Sequence, residues 1–163
     1  MLFYEDLLKK IEDTNIQDLN LKKNEKFGLN TSKKIGGYGI SLPLIIIGLF
    51  QVYSYTIYHK WYLLVLGMIF LGIGFKQFKN IFSYSILINT ENEKIKSGKL
   101  DMFFSDMETV VLKEMKLGKK VIPVIDIIST DRKQVIIPLY MNKQVRFILV
   151  LKKMLKDKFA IQK

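Results

Sequence analysis

From residue 35 to residue 59 the chain carries no Asp, Glu, Lys or Arg. A membrane-spanning helix needs about 20 mostly apolar residues, and Tyr38–Ile57 meets that length. Pro43 lies inside the run, where a first-turn position leaves the helix intact and a later one kinks it. Tyr53, Tyr55 and Tyr58 gather at its far end, the pattern of an aromatic belt at a headgroup boundary. A second apolar run follows at Trp61–Phe75. It reaches spanning length if Lys76 and Lys79 snorkel and the helix continues to about Phe82. Gly67, Gly72 and Gly74 permit close approach of a partner helix. The two runs predict a transmembrane hairpin over residues 35–81, turning near His59–Lys60.

The flanks read differently. Tyr4, Leu7, Leu8 and Ile11, with Phe3, fall at helical spacing and predict an amphipathic helix over Met1–Thr14. Its mixed charge favours docking on protein over lying on lipid. Asn15–Ser32 is a polar connector with a candidate short strand around Glu25–Leu29. From Phe82 the pattern turns to strands. Ser83–Thr90 and Lys94–Ser97 form a hairpin, and Thr109–Met115, Val121–Ser129 and Gln134–Leu139 follow, separated by turn residues. Pro123 predicts an edge position or a bulge. Asn142 is placed to cap a closing amphipathic helix over Asn142–Asp157. The fold class expected is a membrane α + β protein: a helical hairpin, then a cytoplasmic antiparallel sheet or partial barrel with a C-terminal amphipathic helix. Three segments result: an N-terminal helix and connector (1–34), the hairpin (35–81) and the β domain (82–163).

The net charge of +11 on 163 residues would by itself suggest a nucleic-acid binder. Its distribution changes that reading. Residues 76–163 hold 18 Lys and Arg against 9 Asp and Glu, and these lysines are scattered and not interleaved with exposed aromatics. No nucleic-acid partner is expected. Lys22, Lys23, Lys26, Lys33 and Lys34 precede the first run, Lys76 and Lys79 follow the second, and only Lys60 lies between them. The positive-inside rule therefore predicts a multi-pass cell-membrane protein with both termini cytoplasmic. A basic domain tethered there faces anionic lipid, and Lys76, Lys79, Lys119 and Lys120 are the candidate headgroup contacts.

Catalytic chemistry is sparse. There is no cysteine, and His59 is the only histidine, so thiolate metal sites and cysteine nucleophiles are excluded. His59 stands in the proposed turn with no base partner in sight. The Gly36-Gly37-Tyr38-Gly39 cluster lacks a preceding strand and the Lys-Ser/Thr of a phosphate loop. The carboxylates Asp101, Asp106 and Glu108, and Glu12 with Asp13, read as solvated turn and helix residues. No enzyme activity, cofactor or metal is expected. Gln51 is the most polar residue of the first run, poised to hydrogen-bond the second helix or another copy.

The phrase Phe104-Ser-Asp-Met-Glu-Thr-Val-Val-Leu112 and the ending Ile127-Ile-Ser-Thr-Asp-Arg-Lys-Gln-Val-Ile-Ile-Pro138, before the closing helix, resemble the bacterial pleckstrin-homology-like domains. A pair of membrane helices just before such a domain matches many of those proteins. The resemblance extends over about residues 38–157. It implies a barrel of seven strands, of which five or six are visible, with residues 20–30 a source for another. It also implies a non-enzymatic module that binds or scaffolds protein or anionic lipid at the inner leaflet, and homo-oligomers are compatible with it. The alternative is a bacterial defence effector. Its β domain would sense a small ligand such as a cyclic nucleotide through Phe103, Phe104, Arg132 and Tyr140, and its helices would oligomerise to disrupt the membrane.

Overall fold

The computed structural model describes residues 2–14, 19–98 and 100–162, without the side chains of Leu2 and Phe3. The place of Phe3 on the first helix, and connector positions 15–18, therefore lie outside the described residues. The chain forms two compact units, residues 29–84 and residues 1–28 with 85–163.

The first unit is a pair of helices, α2 (Thr31–Tyr58) and α3 (Trp61–Ser83). Asn30 caps α2, its side chain accepting a hydrogen bond from the Ser32 amide. The helix begins seven residues earlier than Tyr38, and Pro43 lies well inside it. His59 ends the helix in a left-handed conformation (φ 53°), its amide donating to the Tyr55 carbonyl. The helices pack where side chains are smallest. A Cβ on Gly67 would lie 2.7 Å from Val52 Cγ2 and 3.0 Å from the Gly48 carbonyl oxygen, and one on Gly74 would lie 2.8 Å from Ile45 Cγ1. No GxxxG spacing is needed, because glycines from both helices meet across the seam. Both helices are long and apolar enough to cross a membrane, and only 11% of each apolar window is buried within the molecule.

The second unit collects the rest. Strands β1 (Asn24–Gly28), β2 (Ser85–Asn89), β3 (Lys94–Ser97) and β4 (Leu100–Phe103) form one antiparallel sheet in that order. The registers Phe27↔Ile86, Ile88↔Ile95 and Ile95↔Met102 put these side chains on one face, with Phe27, Ile86, Ile88 and Ile95 fully inside. The second sheet runs β7 (Gln134–Pro138), β6 (Lys120–Ser129), β5 (Met107–Leu117), β8 (Phe159–Ile161). It is antiparallel except at β8, which joins β5 in parallel after a single turn of 3-10 helix. Val110, Leu112, Ile125, Ile127 and Ile137 share its buried face.

Pro123 makes no bulge, but it does take an edge position: β6 is flanked on both sides only over Val124–Ile128, and Pro123 lies one residue beyond the β7 ladder, paired with Glu114 of β5 alone. Its nitrogen and carbonyl point to the same side of the strand, the β7 side, and the carbonyl accepts from Leu139 just past the end of the β7 ladder. The missing N–H thus falls where no ladder partner waits.

Helix α4 (Gln144–Leu155) buries Phe147 through Leu151 in unbroken succession. Five consecutive buried positions encircle a helix, so α4 belongs to the core and is more than the one-sided cover that its periodicity predicts. Its cap residue is Lys143 in a left-handed conformation; Asn142 instead donates its amide to the Gly28 carbonyl. The Phe27 and Phe147 rings meet edge to face at 5.1 Å. Helix α1 (Leu2–Glu12) buries Tyr4, Leu7 and Ile11, and its Tyr4 hydroxyl reaches the carbonyls of Leu112 (3.2 Å) and Gln162 (2.7 Å). The N-terminal helix and the candidate strand near Glu25 are therefore parts of the β-rich unit, joined to it across the whole hairpin.

Candidate functional site

Strands β5 and β6 outrun their neighbours. On one side β8 pairs with β5 only over Val110–Leu112, and on the other β7 pairs with β6 only over Val124–Ile128. Beyond those points the two strands pair with each other as a free-standing ribbon, from Glu114↔Pro123 to Leu117↔Lys120. Gly118 turns the ribbon with φ +64° at the first position of a two-residue loop, and Lys119 has a negative φ. That is the pattern of a type II′ hairpin turn.

Side-chain alternation then sorts the tip. Met115, Leu117, Lys120 and Ile122 share one face, while Lys116 and Val121 share the other. Leu117 is 38% exposed and Val121 57% exposed, with exposed Lys116, Lys119 and Lys120 around them. Among the described residues none of these three lysines has an ion-pair partner. The tip thus offers apolar wedges and free positive charge together, with no carboxylate to neutralise it.

Lys113, at the base of the ribbon, is different. Its ammonium lies 2.5 Å from the buried Asp126 carboxylate, which also accepts from the Gln134 amide at 2.9 Å. This pair neutralises the one carboxylate inside the second sheet and is spent on structure. A groove of about 510 Å³ lies beside it, between α1 and β5, lined by Tyr4, Leu8 and residues of both charge signs, among them Lys9, Lys113 and Glu114. Burial, with the charge of Glu114 added, pushes the Tyr4 hydroxyl above its ordinary pKa.

A second charged cluster pins the connector. Arg146 on α4 grips the buried Glu25 carboxylate through two nitrogens, at 2.5 and 3.1 Å, and donates to the Asn20 carbonyl at 2.9 Å. Lys153 donates to the Leu19 carbonyl. The hydrogen bond from Arg146 holds the Glu25 carboxyl below its ordinary pKa, against the opposing effect of burial.

Of the predicted lipid contacts, Lys119 and Lys120 stand at the ribbon tip, and Lys76 and Lys79 are exposed on α3, three residues apart and so on one side of the helix. Lys116, Leu117 and Val121 escaped notice in the sequence. The available signal was an apolar residue on each flank of a Gly-Lys-Lys turn.

The four residues proposed for a small ligand are dispersed. Phe104 is 4% exposed and turned into the core, while Phe103 is exposed with the Lys94 ammonium 4.8 Å from its ring centre. Arg132 sits in the β6–β7 turn with φ +58°. Tyr140 follows the opposite end of β7, a five-residue strand about 16 Å long. Asp101 is ion-paired to Lys94 at 2.9 Å, and Asp106 and Glu108 are exposed. No protein-family model, curated protein or solved structure matches this chain.

Proposed function

We propose that the chain is an integral membrane protein whose β-rich unit is a non-enzymatic binding module for anionic lipid at the inner leaflet. The observation that carries this reading is the ribbon tip, where Leu117 and Val121 project among Lys116, Lys119 and Lys120. Apolar side chains enter the headgroup boundary while the ammonium groups meet lipid phosphates, and a lysine near an anionic leaflet is worth ~1 kcal/mol.

Three further features support it. Helices α2 and α3 expose Ile46, Phe50, Ile57, Met68, Ile73 and other large apolar side chains, a surface far more at home in lipid than in water. The connections are short, residues 29–30 between β1 and α2 and Tyr84 alone between α3 and β2, so a bilayer around the helices stays within reach of the β-rich unit. Lysines flank the hairpin at both outer ends, which orients the termini to the cytoplasm. The strand order is also compatible with the pleckstrin-homology-like resemblance: a four-stranded meander, a three-stranded meander and a closing helix, with the membrane hairpin inserted between the first and second strands.

The test uses the full chain in proteoliposomes. The chain has no cysteine, so Leu117→Cys can carry a single environment-sensitive dye. Its emission shifts to the blue in vesicles containing phosphatidylglycerol and not in pure phosphatidylcholine. Raised salt or the triple change Lys116→Glu, Lys119→Glu, Lys120→Glu reverses the shift. The same emission in both lipids overturns the lipid reading.

A further inference from the structure

Gln51 lies on α2 seven residues before Tyr58, about 10 Å along the axis from the end of the helix. Ile45-Ile-Ile-Gly-Leu-Phe50 precedes it and Val52-Tyr53 follows. The α2–α3 seam runs through Ser41, Ile45, Gly48 and Val52, which meet Gly67, Leu71 and Gly74. Gln51 is one residue, and so about 100° of rotation, away from Val52 and stands at the margin of that seam. Its side chain is half-buried, and among the described residues its amide has no hydrogen-bond partner. The hydroxyl of Thr56, by contrast, is satisfied by the Tyr53 carbonyl at 2.7 Å.

A glutamine amide offers two N–H donors and a carbonyl acceptor. In water this needs no explanation, but in hydrocarbon an unpaired amide is costly. Helix α3 does not supply the partner. A second Gln51 does, because an amide is self-complementary: across a two-fold axis each N–H meets the other carbonyl. The same face of α2 carries Leu44 and the exposed Ile47 at helical spacing from Gln51, so a facing helix can lie against it.

We propose that α2 of one copy packs on α2 of a second copy within the membrane, through reciprocal hydrogen bonds between their Gln51 amides. This rests on the reading of α2 as a membrane span. Ile47 lies on the proposed contact face, and the neighbouring Ile46 points about 100° away from it. The full chain, purified and reconstituted alone at low protein-to-lipid ratio, is oxidised as single-cysteine variants. Ile47→Cys forms a disulfide-linked dimer and Ile46→Cys forms far less. Adding Gln51→Leu to Ile47→Cys lowers the dimer yield by about fivefold, the loss expected for one interhelical amide pair. Adding Gln51→Asn, which keeps the amide, retains most of it. Equal cross-linking at positions 46 and 47, or a yield indifferent to Gln51→Leu, overturns the proposal. Separately, Gln51→Cys in sealed vesicles stays unreactive toward a membrane-impermeant maleimide. Rapid labelling there overturns the span itself, and the dimer with it.

Discussion

Gly28 and Ser85 stand opposite one another as the last pair of the β1–β2 ladder, with residues 29–84 inserted between them. Two antiparallel strands that end on such a pair can be joined by a two-residue turn. Replacing residues 29–84 with Asn-Gly is therefore expected to yield a water-soluble β-rich unit with one cooperative thermal transition. The fragment 82–163 lacks β1, and with it Phe27 against Phe147 and Glu25 against Arg146. It is expected to show no cooperative transition by circular dichroism.

Glu25 and Arg146 give the protein an acid limit. The folded state lowers the Glu25 pKa. Their stabilisation is therefore fully present above the unfolded value, near 4.3, and is lost as pH falls through the folded value. Thermal unfolding between pH 3 and 7 is expected to show a decline on the acid side that Glu25→Gln flattens. Arg146→Met leaves the buried carboxylate without its counter-charge, with only the Lys22 amide still donating to it, and is expected to cost about 3–5 kcal/mol at neutral pH.

Tyr4 acts at the opposite extreme. Its pKa is raised, so the neutral hydroxyl is the form that folding favours. That contribution is complete below about pH 10 and is lost as pH rises through the folded value. Tyr4→Phe removes the donor to the Gln162 carbonyl and is expected to cost about 1 kcal/mol. Hydrogen exchange should then quicken in α1 and β8 before it quickens in β5 or β6.

Gly67→Val tests the helix seam. The new side chain meets the Gly48 carbonyl, which cannot rotate away, as well as Val52. Overpacking of this kind is expected to cost about 1–3 kcal/mol. Gly72→Val has nothing within 4 Å of its Cβ and serves as the control. Resistance of the full chain to unfolding in detergent should fall for the first and not for the second.

The residues that local pattern describes well are those whose surroundings are uniform along the chain. Residues 35–59 announce a long apolar helix, because 25 uncharged positions in succession need no knowledge of any partner. The alternation in Ser85–Asn89 and Lys94–Ser97 likewise announces half-buried strands, and the two lysines after Gly118 announce an exposed turn. Whatever depends on a distant partner was settled by tertiary structure. Asn24–Gly28 shows in sequence only as a candidate short strand around Glu25–Leu29, and nothing there says where it pairs; β2, beyond the hairpin, supplies its ladder. Glu25 reads as an ordinary connector carboxylate until Arg146 closes on it from α4. Lys113 and Lys116 look alike in sequence, yet Asp126 binds the first and leaves the second free. Periodicity records how much of a side chain is buried; it carries no record of which residue, 121 positions away for Glu25 and Arg146, does the burying.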